Sequence, residues 1–578
     1  MRLLRKAIGA KNRHLSSLLL ILFFPLAALV SCSQPPPPFV SLNLGIPAAA
    51  LKSPVVGSLP DETVLHIGIT FKIDPQVLNV VAQQPLRPGQ SSDLERFAKS
   101  LGVSDATYQK IADFFNVQGL VLKLSKLRTY LSLQAKAGTL ARLLQTKFVI
   151  HKYQGRTFYA PSTPPKVPSF LANSIVAVTG LDNYSAHPRH ALQMNFRRPH
   201  VNHSSALDCN PGDQSLTPAE VAHAYGYDIL QRRGLRGEQM AINLVEIDGS
   251  YVDDVQNYMS CLHYQGHLAV YNVDGAPSDA QGESTLDIEM AAGLAPSANI
   301  NLYQTDGNAN GDTWTQVNDE LQQIIDANTT KASAGSVVSL SLGIDEADIT
   351  SDDVNALDSS LRQLTQVEHM TVFAASGDCG AFDSGTFLDL SVSFPASDPW
   401  VVGVGGTKLS LNADGTRAQE VTWSNFPNIF SCKNNWGSGG GNSTLFKRPN
   451  WQQANGVNND HSQNDRQIPD VAAIADNLAV YFNGGWGAVG GTSAAAPIWA
   501  AGQVLVNEDT IHRLGTFAYA PQLYYVADRQ ASINAYYDVT SGNNLYYPAT
   551  VGWDYTTGLG TPNLASFDRA VSNTLAGS

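Results

Sequence analysis

The spacing of apolar and polar positions predicts two structured regions of different character. Residues 65–71 alternate between apolar and polar side chains, as expected for a half-buried strand, and residues 91–95 combine capping serines with early acidic residues at a helix start. Further along, strand-like and helix-like patterns follow one another at residues 239–247, 283–294 and 300–303. That alternation predicts an α/β domain with a parallel sheet and helices on both faces, preceded by a smaller α+β region.

The N-terminal segment has the pattern of an export signal. Residues 15–30 are apolar apart from two serines, and basic residues precede them: Arg2, Arg5, Lys6, Lys11 and Arg13. This stretch is short for a membrane span and suits a signal peptide. It ends in Leu29-Val30-Ser31-Cys32, which resembles a bacterial lipobox with Cys32 as the lipid-bearing residue; ordinary signal cleavage nearby is the alternative. Residues 1–32 are therefore predicted to be a lipoprotein-type signal peptide.

Changes in composition divide the rest of the chain into three regions. Residues 33–59 include four consecutive prolines and predict a stiff polyproline tether. Residues 60–200 form the α+β region, and residues 201–578 form the α/β domain. The polar stretch 183–212, rich in His, Asn, Pro and Arg, is typical of an exposed linker that is cut during maturation. No long apolar run follows residue 32, so no further membrane span is predicted.

Length and cysteine content fit an exported protein of more than one domain. The chain has 578 residues, of which 43% are hydrophobic and 15% charged, enough to bury sizeable cores. Four cysteines follow Cys32, an even number that predicts two disulfides in an exported protein: Cys209, Cys261, Cys379 and Cys432. Three connectivities exist, and sequence proximity favours Cys209 with Cys261 and Cys379 with Cys432.

Charge is distributed very unevenly along the chain. Residues 201–578 contain 14 Lys and Arg against 42 Asp and Glu, a net charge of −28, whereas residues 33–200 contain 18 against 8, a net charge of +10. Opposite charges predict that the two regions attract each other near neutral pH. The attraction should fade as pH falls towards carboxyl pKa values, around 4. Alternatively, the acidic surface is an adaptation to acidic surroundings.

The stretch Gly490 to Pro497 is the strongest chemical signal in the chain. It sets Ser493 between a glycine pair and a run of small residues that opens a helix. The glycines allow a sharp turn, and amides at the helix start can face a developing oxyanion. A serine hydroxyl needs a base to become a nucleophile. None of the seven histidines after residue 200 stands in the His-Gly-Thr context of subtilisin-type peptidases.

Three carboxylates occupy positions that suit acid–base chemistry. Glu283 and Asp287 are spaced i, i+4, so on a helix they share one face, repel each other and can share a proton. A solvated acidic face is the alternative. Asp378 follows the apolar run 371–375, which predicts a buried strand ending where α/β proteins place their sites.

Glu283 with Asp287, then Ser-Gly-Asp, then Gly-Thr-Ser, in this order, resembles the sedolisin family of serine-carboxyl peptidases. The resemblance covers about residues 60–575. Further motifs match in order at residues 215–218, 224–226, 337–341, 394–397, 403–407, 439–441, 469–471 and 557–562. It implies a subtilisin-like catalytic domain at 201–578 behind an activation prosegment at 60–200. The resemblance also implies a secreted or extracytoplasmic bacterial monomer that cleaves proteins or peptides, with the prosegment as its inhibitor and no nucleic-acid partner.

The resemblance assigns a role to each candidate residue. Ser493 would be the nucleophile, Glu283 the general base and Asp287 the carboxylate that orients Glu283. Asp378 would be a neutral acid that donates a hydrogen bond to the oxyanion beside the Ser493 amide, which implies work in acid. Two other functions are less well supported. A subtilisin-type neutral peptidase would need a histidine in the His-Gly-Thr context, which this chain lacks. A catalytically inactive binding homologue would not need all four of these residues. Cleavage within chains and removal of tripeptides from their ends both stay open.

The C-terminal segment resembles the family's calcium loop. The resemblance implies one calcium ion held by the Asp538 and Asp554 carboxylates and by the main-chain carbonyls of Val539, Thr550 and Gly552. Six to eight oxygen ligands suit this hard cation. Thr550 stands where the family usually has glycine, but a carbonyl ligand does not require that residue. Aspartates that simply form turns are the alternative.

Overall fold

The computed structural model describes most of the chain after the predicted signal peptide. The described residues are 38–83, 94–116, 120–185, 187–188, 193–195, 209, 211–212, 215–307, 311–330, 335–385, 388–425, 432, 436–514 and 521–576. Within these ranges, no helix has both the length and the apolar character needed to cross a membrane. The predicted signal peptide and Cys32 lie outside the described residues.

The N-terminal region is built from nine short strands and six helices among its described residues. The strands are β1 (Phe39–Ser41), β2 (Val55–Ser58), β3 (Val64–Phe71), β4 (Leu122–Leu124), β5 (Tyr130–Lys136), β6 (Phe148–Tyr153), β7 (Arg156–Pro161), β8 (Lys166–Pro168) and β9 (Ile175–Thr179). The helices are α1 (Ala48–Leu51), α2 (Pro75–Ala82), α3 (Ala98–Leu101), α4 (Asp105–Asn116), α5 (Ala137–Leu143) and α6 (Ser169–Ser174). The predicted α+β character is confirmed.

Strand β3 shows why this region folds around one core. Leu65, Ile67 and Ile69 alternate along the strand and are at most 3% exposed, so one face of the sheet is buried. The strand pairs antiparallel with β5 and β9, and a second antiparallel sheet has the order β2-β6-β7. Of the helix predicted near residue 91, the described part is a 3-10 turn at Leu94–Phe97 that leads into α3.

The prediction of a proline-rich tether at residues 33–59 is wrong from Phe39 onward, where the chain forms two strands and a helix. Strand β1 pairs antiparallel with β8, and β2 pairs antiparallel with β6. Leu44 and Ile46, between these strands, are 6% and 8% exposed. Their burial stabilises the N-terminal region, so the chain from Phe39 onward belongs to it.

The chain from residue 193 onward supplies the second group of elements. The strands are β10 (Gln193–Asn195), β11 (Ala241–Glu246), β12 (Leu268–Asn272), β13 (Asn299–Gln304), β14 (Val337–Leu340), β15 (Ile344–Asp345), β16 (Thr371–Ala375), β17 (Ser393–Phe394), β18 (Val402–Leu411), β19 (Arg417–Thr422), β20 (Ser424–Asn425), β21 (Trp436–Gly437), β22 (Gly441–Lys447), β23 (Asp465–Ile468), β24 (Val471–Ile474), β25 (Leu478–Phe482), β26 (Gly485–Gly490), β27 (Tyr536–Tyr537) and β28 (Thr561–Pro562). The helices are α7 (Pro218–Tyr225), α8 (Tyr227–Arg232), α9 (Val252–Leu262), α10 (Glu283–Leu294), α11 (Thr313–Thr330), α12 (Ser351–Gln366), α13 (Thr492–Leu514), α14 (Pro521–Arg529) and α15 (Leu564–Ala576).

An eight-stranded sheet forms the centre of this second region. Its order is β12-β13-β11-β14-β16-β18-β19, and β24 also pairs with β18. All its pairings are parallel except that of β19 with β18. Ile242 and Leu244 of β11 pack in one core with α10 and α13, while Val245 packs in another with α11 and α12. Helices therefore cover both faces, as predicted.

Strand order places three strand ends together at one edge of the sheet. β11 lies between β13 and β14, so the connections leave it in opposite directions, which opens a crevice at the carboxyl ends of these strands. Glu246 closes β11, Ser341 follows β14 and Asp378 follows β16. These three polar residues therefore lie at the same end of the parallel strands.

Candidate active site

Ser493 lies in the first turn of α13 and is 2% exposed. Strand β26 ends at Gly490, and Gly491 has φ +143°, a conformation that favours glycine and turns the chain into the helix. Ala494, Ala495 and Ala496 are fully buried beneath the serine, where larger side chains would disturb the packing of α13. The strand–turn–helix setting predicted for the serine is therefore present.

Glu283 and Asp287 lie on one face of α10, and both are fully buried. They are not the solvated acidic face considered as an alternative. The start of α10 is held by Asp248, whose carboxylate accepts hydrogen bonds from the amides of Gln281 (2.8 Å), Gly282 (3.0 Å) and Ser284 (3.1 Å). An acceptor at a helix start satisfies amides that have no partner within the helix.

Ser341 connects Asp287 of α10 to Ser493. Its hydroxyl donates to Asp287 Oδ2 at 2.6 Å and lies 3.0 Å from the main-chain oxygen of Ser493. The Ser493 hydroxyl lies 3.5 Å from the main-chain oxygen of Ser341, and Ser493 lies close enough to Glu283 to lower the pKa of that carboxyl group. The side chains of α10 and α13 are thus joined across the end of β14.

Burial is the main cause of the raised pKa values of Glu283 and Asp287. It raises the pKa of Glu283 well above its usual value, the Asp287 charge raises that pKa further, and the Ser493 hydrogen bond lowers it. Burial also raises the pKa of Asp287 to about 7, against hydrogen bonds from Ser341 and Glu246 that lower it. The two groups titrate as one system that holds a proton well above the ordinary carboxyl range.

Glu246 is a third carboxyl group behind this pair, and sequence reasoning missed it. It is fully buried at the end of β11 and lies close enough to Asp287 for each carboxyl group to shift the pKa of the other. Burial first, then the charges of Asp287 and Glu283, raise its pKa well above its usual value. A charged residue that closes the otherwise largely apolar run AINLVE was the available signal, because a buried carboxyl group needs a partner.

Asp378 follows the end of β16 and lines the same cleft as Ser493. Its Oδ1 accepts hydrogen bonds from the Thr492 amide (2.8 Å) and the Thr492 hydroxyl (2.6 Å). Its Oδ2 is buried and has no hydrogen-bond partner among the described residues. Burial raises the pKa of Asp378 to about 7, although the Thr492 bonds lower it. Below that pH, Oδ2 can carry a proton and donate it to a ligand oxygen.

One described part of the linker, strand β10, lies beside the strand that leads into Ser493. Strand β10 pairs antiparallel with β26, with Gln193 opposite Gly490 and Asn195 opposite Ala488. Because β26 leads directly into Ser493, this part of the linker lies next to the catalytic turn. No histidine is found among the described residues that line the cleft around Ser493.

Comparison with known proteins assigns both regions. Residues 66–184 match the family described as "Pro-kumamolisin, activation domain", and residues 268–513 match the "Subtilase family". Kumamolisin of Bacillus sp. (strain MN-32) is 30% identical over 550 residues, which cover 89% of this chain and 92% of the relative. The chain belongs to the sedolisin family. Sedolisin of Pseudomonas sp. (strain 101) is 26% identical, over 88% of this chain and 87% of the relative.

A solved structure confirms the fold of this sedolisin-family chain. Pseudomonas sedolisin complexed with two molecules of pseudo-iodotyrostatin superimposes with a TM-score of 0.53 and 26% identity, over 63% of this chain and 99% of that one. The catalytic region is therefore a subtilisin-like α/β domain, as predicted. The protein is a self-maturing acid serine-carboxyl peptidase with an activation prosegment.

Both predicted disulfides of the sedolisin-family domain are present. Cys209 pairs with Cys261 and Cys379 with Cys432, with Cα–Cα distances of 5.4 and 5.3 Å. Cys379 directly follows Asp378, so the second disulfide ties the loop after β16 to the segment around residue 432.

The residues of the predicted calcium loop also come together. Asp538 Oδ2 accepts a hydrogen bond from the Gly552 amide (2.9 Å), and Asp554 Oδ2 accepts one from the Thr550 amide (2.8 Å). Val539, next to Asp538, is 1% exposed. Across the described part of the chain, no group of three His, Cys, Asp or Glu is placed to hold a metal. A cation here would therefore need main-chain carbonyls as well as the two carboxylates.

Proposed function

We propose that Ser493, Glu283, Asp287 and Asp378 hydrolyse peptide bonds through an acyl-enzyme. Ser493 Oγ attacks the carbonyl carbon while Glu283 takes its proton, and Asp287 holds Glu283 in position. The proton then passes to the leaving amine. Water next attacks the acyl-enzyme in the same way, and the bond to Ser493 breaks to release the carboxylic acid product. Glu246 supports Asp287 from behind.

The observation that carries this proposal is the unpartnered Oδ2 of Asp378. A buried carboxyl oxygen without a partner is costly, and a protonated one beside the nucleophile can bind the oxyanion of the transition state. Burial keeps Asp378 neutral in acid. Replacing Ser493 by alanine in the full chain, with loss of both peptide hydrolysis and self-maturation, tests the proposal.

The proposed cellular setting is outside the cytoplasm, with the unprocessed chain attached to the membrane through a lipid on Cys32. The basic and apolar N-terminal pattern and the lipobox-like Leu29-Val30-Ser31-Cys32 support this. Cleavage in the linker, residues 183–212, would leave the lipid on the prosegment and release a monomeric mature enzyme.

Prosegment binding is proposed to depend on charge. At the interface, the Lys126 ammonium group donates to the main-chain oxygen of Asp326 (2.7 Å). Burial raises the pKa of the Asp326 carboxyl, whereas the Lys126 amide bond and the charges of Lys126 and Lys123 lower it. These contacts agree with the attraction predicted from net charge. Since protonation of surface carboxylates weakens that attraction, acid would favour release of the cleaved prosegment.

A buried group of aspartates at the same interface acts in the opposite direction. Asp182 of the prosegment lies close to Asp353 and Asp312 of the catalytic domain, and all three are at most 8% exposed. Burial and the Asp353 charge raise the pKa of Asp182 well above its usual value. Docking therefore requires Asp182 to hold a proton that it would lose in neutral water.

Asp182→Asn is expected to slow prosegment dissociation about tenfold at pH 7, because asparagine needs no proton, and one pKa unit corresponds to about tenfold in affinity. Asparagine can still accept the Tyr184 amide bond made by Asp182. The measurement uses the Ser493→Ala chain, cut in the linker by an added protease, with the two fragments separated over time. At pH 4 the variant should match its parent.

The exposed Asp113→Asn is the matched control for this experiment. Added salt should speed dissociation at pH 7 in every variant and have less effect at pH 4. A dissociation rate that does not change with salt would contradict the proposed charge attraction. Equal rates for Asp182→Asn and its parent at pH 7 would show that the buried aspartates do not oppose docking.

We also propose one calcium ion, held by Asp538, Asp554 and the carbonyls of Val539, Thr550 and Gly552. An all-oxygen donor set and two carboxylates hydrogen-bonded to the segment 550–552 support it. When bound, the ion would hold this loop against the catalytic domain.

Asp538→Ala or Asp554→Ala is expected to lower the melting temperature of the mature enzyme, because a ligand of the folded state stabilises it. A chelator should lower the melting temperature of the wild type in the same way and add little to either variant. Asp528→Ala, an exposed change nearby, is the control. A wild-type melting temperature that ignores the chelator would contradict the proposal.

A further inference from the structure

The loop that carries Asp378 does little by itself to fix this residue. Gly377 precedes Asp378 and Gly380 follows Cys379, with φ angles of +102° and +65°, a region that favours glycine. Glycines leave the backbone many conformations, so the main chain here needs contacts from outside the loop. The bonds from Thr492 fix the carboxyl oxygen Oδ1, but they do not hold the main chain of Asp378.

The segment that contains β21 lies along this loop and holds its main chain. The Gly437 amide donates to the main-chain oxygen of Asp378 (2.9 Å), and the Gly380 amide donates to the main-chain oxygen of Gly437 (3.0 Å). On the other side of Asp378, the Gly439 amide donates to the main-chain oxygen of Gly377 (2.7 Å). The position of Asp378 therefore depends on where this segment lies.

The Cys379–Cys432 disulfide is a covalent connection between the loop and this segment. Cys379 is the residue after Asp378, and Cys432 shortly precedes β21. The Cα atoms of the two cysteines are 5.3 Å apart. The disulfide keeps the segments at one separation, whereas hydrogen bonds alone would allow them to open locally.

We propose that the Cys379–Cys432 disulfide positions Asp378, so that its Oδ2 meets the oxygen of the attacked carbonyl as negative charge develops there. This inference rests on the proposed role of Asp378. An oxyanion donor acts mainly in the transition state and must be in place beforehand, and a displacement of about 1 Å can cost about 100-fold in rate. Loss of the disulfide should therefore slow the chemical step and leave peptide binding nearly unchanged.

The other disulfide provides a matched control for the test. Cys209–Cys261 and Cys379–Cys432 join residues that are 52 and 53 positions apart. Removing either bond should therefore change the conformational entropy of the unfolded chain by nearly the same amount. Lower stability is expected in both double variants, Cys379→Ala/Cys432→Ala and Cys209→Ala/Cys261→Ala, whereas an effect on kcat is expected only in the first.

Cys379→Ala/Cys432→Ala is expected to lower kcat at pH 4 at least about tenfold, with KM within about twofold of the wild-type value. Cys209→Ala/Cys261→Ala should keep both constants within about twofold of wild type. Each enzyme is assayed after self-maturation is complete and well below its melting temperature. Equal kcat values for the two double variants would overturn the inference.

The pH dependence of kcat/KM distinguishes positioning from a merely structural role. Burial raises the pKa of Asp378 to about 7. A loosened loop would admit water and lower that pKa towards its ordinary value, about 4. In Cys379→Ala/Cys432→Ala the fall of kcat/KM should therefore move to lower pH. The Cys209→Ala/Cys261→Ala control and the exposed Asp389→Asn should keep the wild-type profile, and an unshifted profile in the first variant would overturn the inference.

Two other carboxyl groups lie near Asp378. The Asp378 charge raises the pKa of Glu283 on α10, and Asp383 Oδ1 lies against Gly377 within the same loop. Both groups are present in every enzyme compared, so they do not by themselves account for a profile that differs between the two double variants.

A second measurement uses folded, matured enzyme, so it does not depend on how a variant folds. Wild-type enzyme and the Cys209→Ala/Cys261→Ala control are treated with a water-soluble phosphine. The phosphine gives two electrons to the Cys379–Cys432 bond and takes the oxygen of one water to become a phosphine oxide, while two thiols form. In both enzymes kcat should fall at least about tenfold and return when the thiols are reoxidised. Unchanged kcat after complete reduction, verified by thiol labelling, would overturn the inference.

The outcomes separate this inference from the proposed function. If Asp378→Asn loses activity while Cys379→Ala/Cys432→Ala keeps it, the disulfide does not position Asp378, and the proposed chemistry stands. If Asp378→Asn turns over normally, the proposed role of Asp378 is wrong, and the inference fails with it.

Discussion

Ser493→Ala is expected to abolish peptide hydrolysis and to leave the full-length chain uncut in acid. The alanine removes the only atom that can form the acyl-enzyme, while its neighbours Ala494 to Ala496 show that the turn accepts small side chains. The folded structure should therefore persist. Activity at pH 4 on a peptide substrate, and the size of the purified chain over time in acid, measure the two effects.

Ser410→Ala, an exposed change on β18, is the control and should mature as the wild type does. Mature-sized protein from purified Ser493→Ala, formed without added protease, would place the nucleophile elsewhere. Equal melting temperatures for the variant and for the wild-type zymogen would show that activity is lost because the hydroxyl is missing and not because the protein is unfolded.

Asp378→Asn is expected to lower kcat/KM about 10²–10³-fold, the usual effect of removing one oxyanion donor. The amide keeps a donor group, but the bonds from Thr492 to Oδ1 fix the side chain, and an amide nitrogen is a weaker donor than a carboxylic acid. Near-normal turnover would remove Asp378 from the mechanism.

The pH dependence of kcat/KM provides a second test of Asp378→Asn. Because burial raises the pKa of Asp378 to about 7, the proton on this donor is present below pH 7 and is lost as pH rises through it. Wild-type kcat/KM should therefore fall across that range. Asparagine does not titrate, so the variant should lose the part of the fall that belongs to Asp378, whereas Asp389→Asn should keep the wild-type profile.

Local patterns were enough to select the candidate residues that the structure brings together around Ser493. Ser493 needs a glycine turn and small neighbours, and Glu283 with Asp287 needs helical spacing; both signals lie within a few residues of sequence. Asp378 follows an apolar run that predicts a buried strand. The resemblance to a family then gave roles to residues that the patterns alone would have left as turns and acidic faces.

The parts that escaped prediction depend on which strands lie side by side. Glu246 gains its partner only because the sheet places β11 next to β14, where Asp287 of α10 reaches it. The cleft around Ser493 likewise joins segments that are separate in sequence. Net charge predicted attraction between prosegment and catalytic domain, but it could not show that Asp182 would be buried against Asp353.

The buried carboxyl groups also change what the surrounding medium does to the folded chain. Asp287 and Asp378, with pKa values of about 7, keep protons that the unfolded chain would release near pH 4. Their contribution to stability is therefore complete below about pH 4 and disappears as pH rises through 7. In this sense the proton is a ligand of the native state. An acidic medium supplies that ligand in excess, whereas a neutral medium withdraws it. The folded state therefore loses this stabilisation over the same pH range in which Asp378 loses its proton.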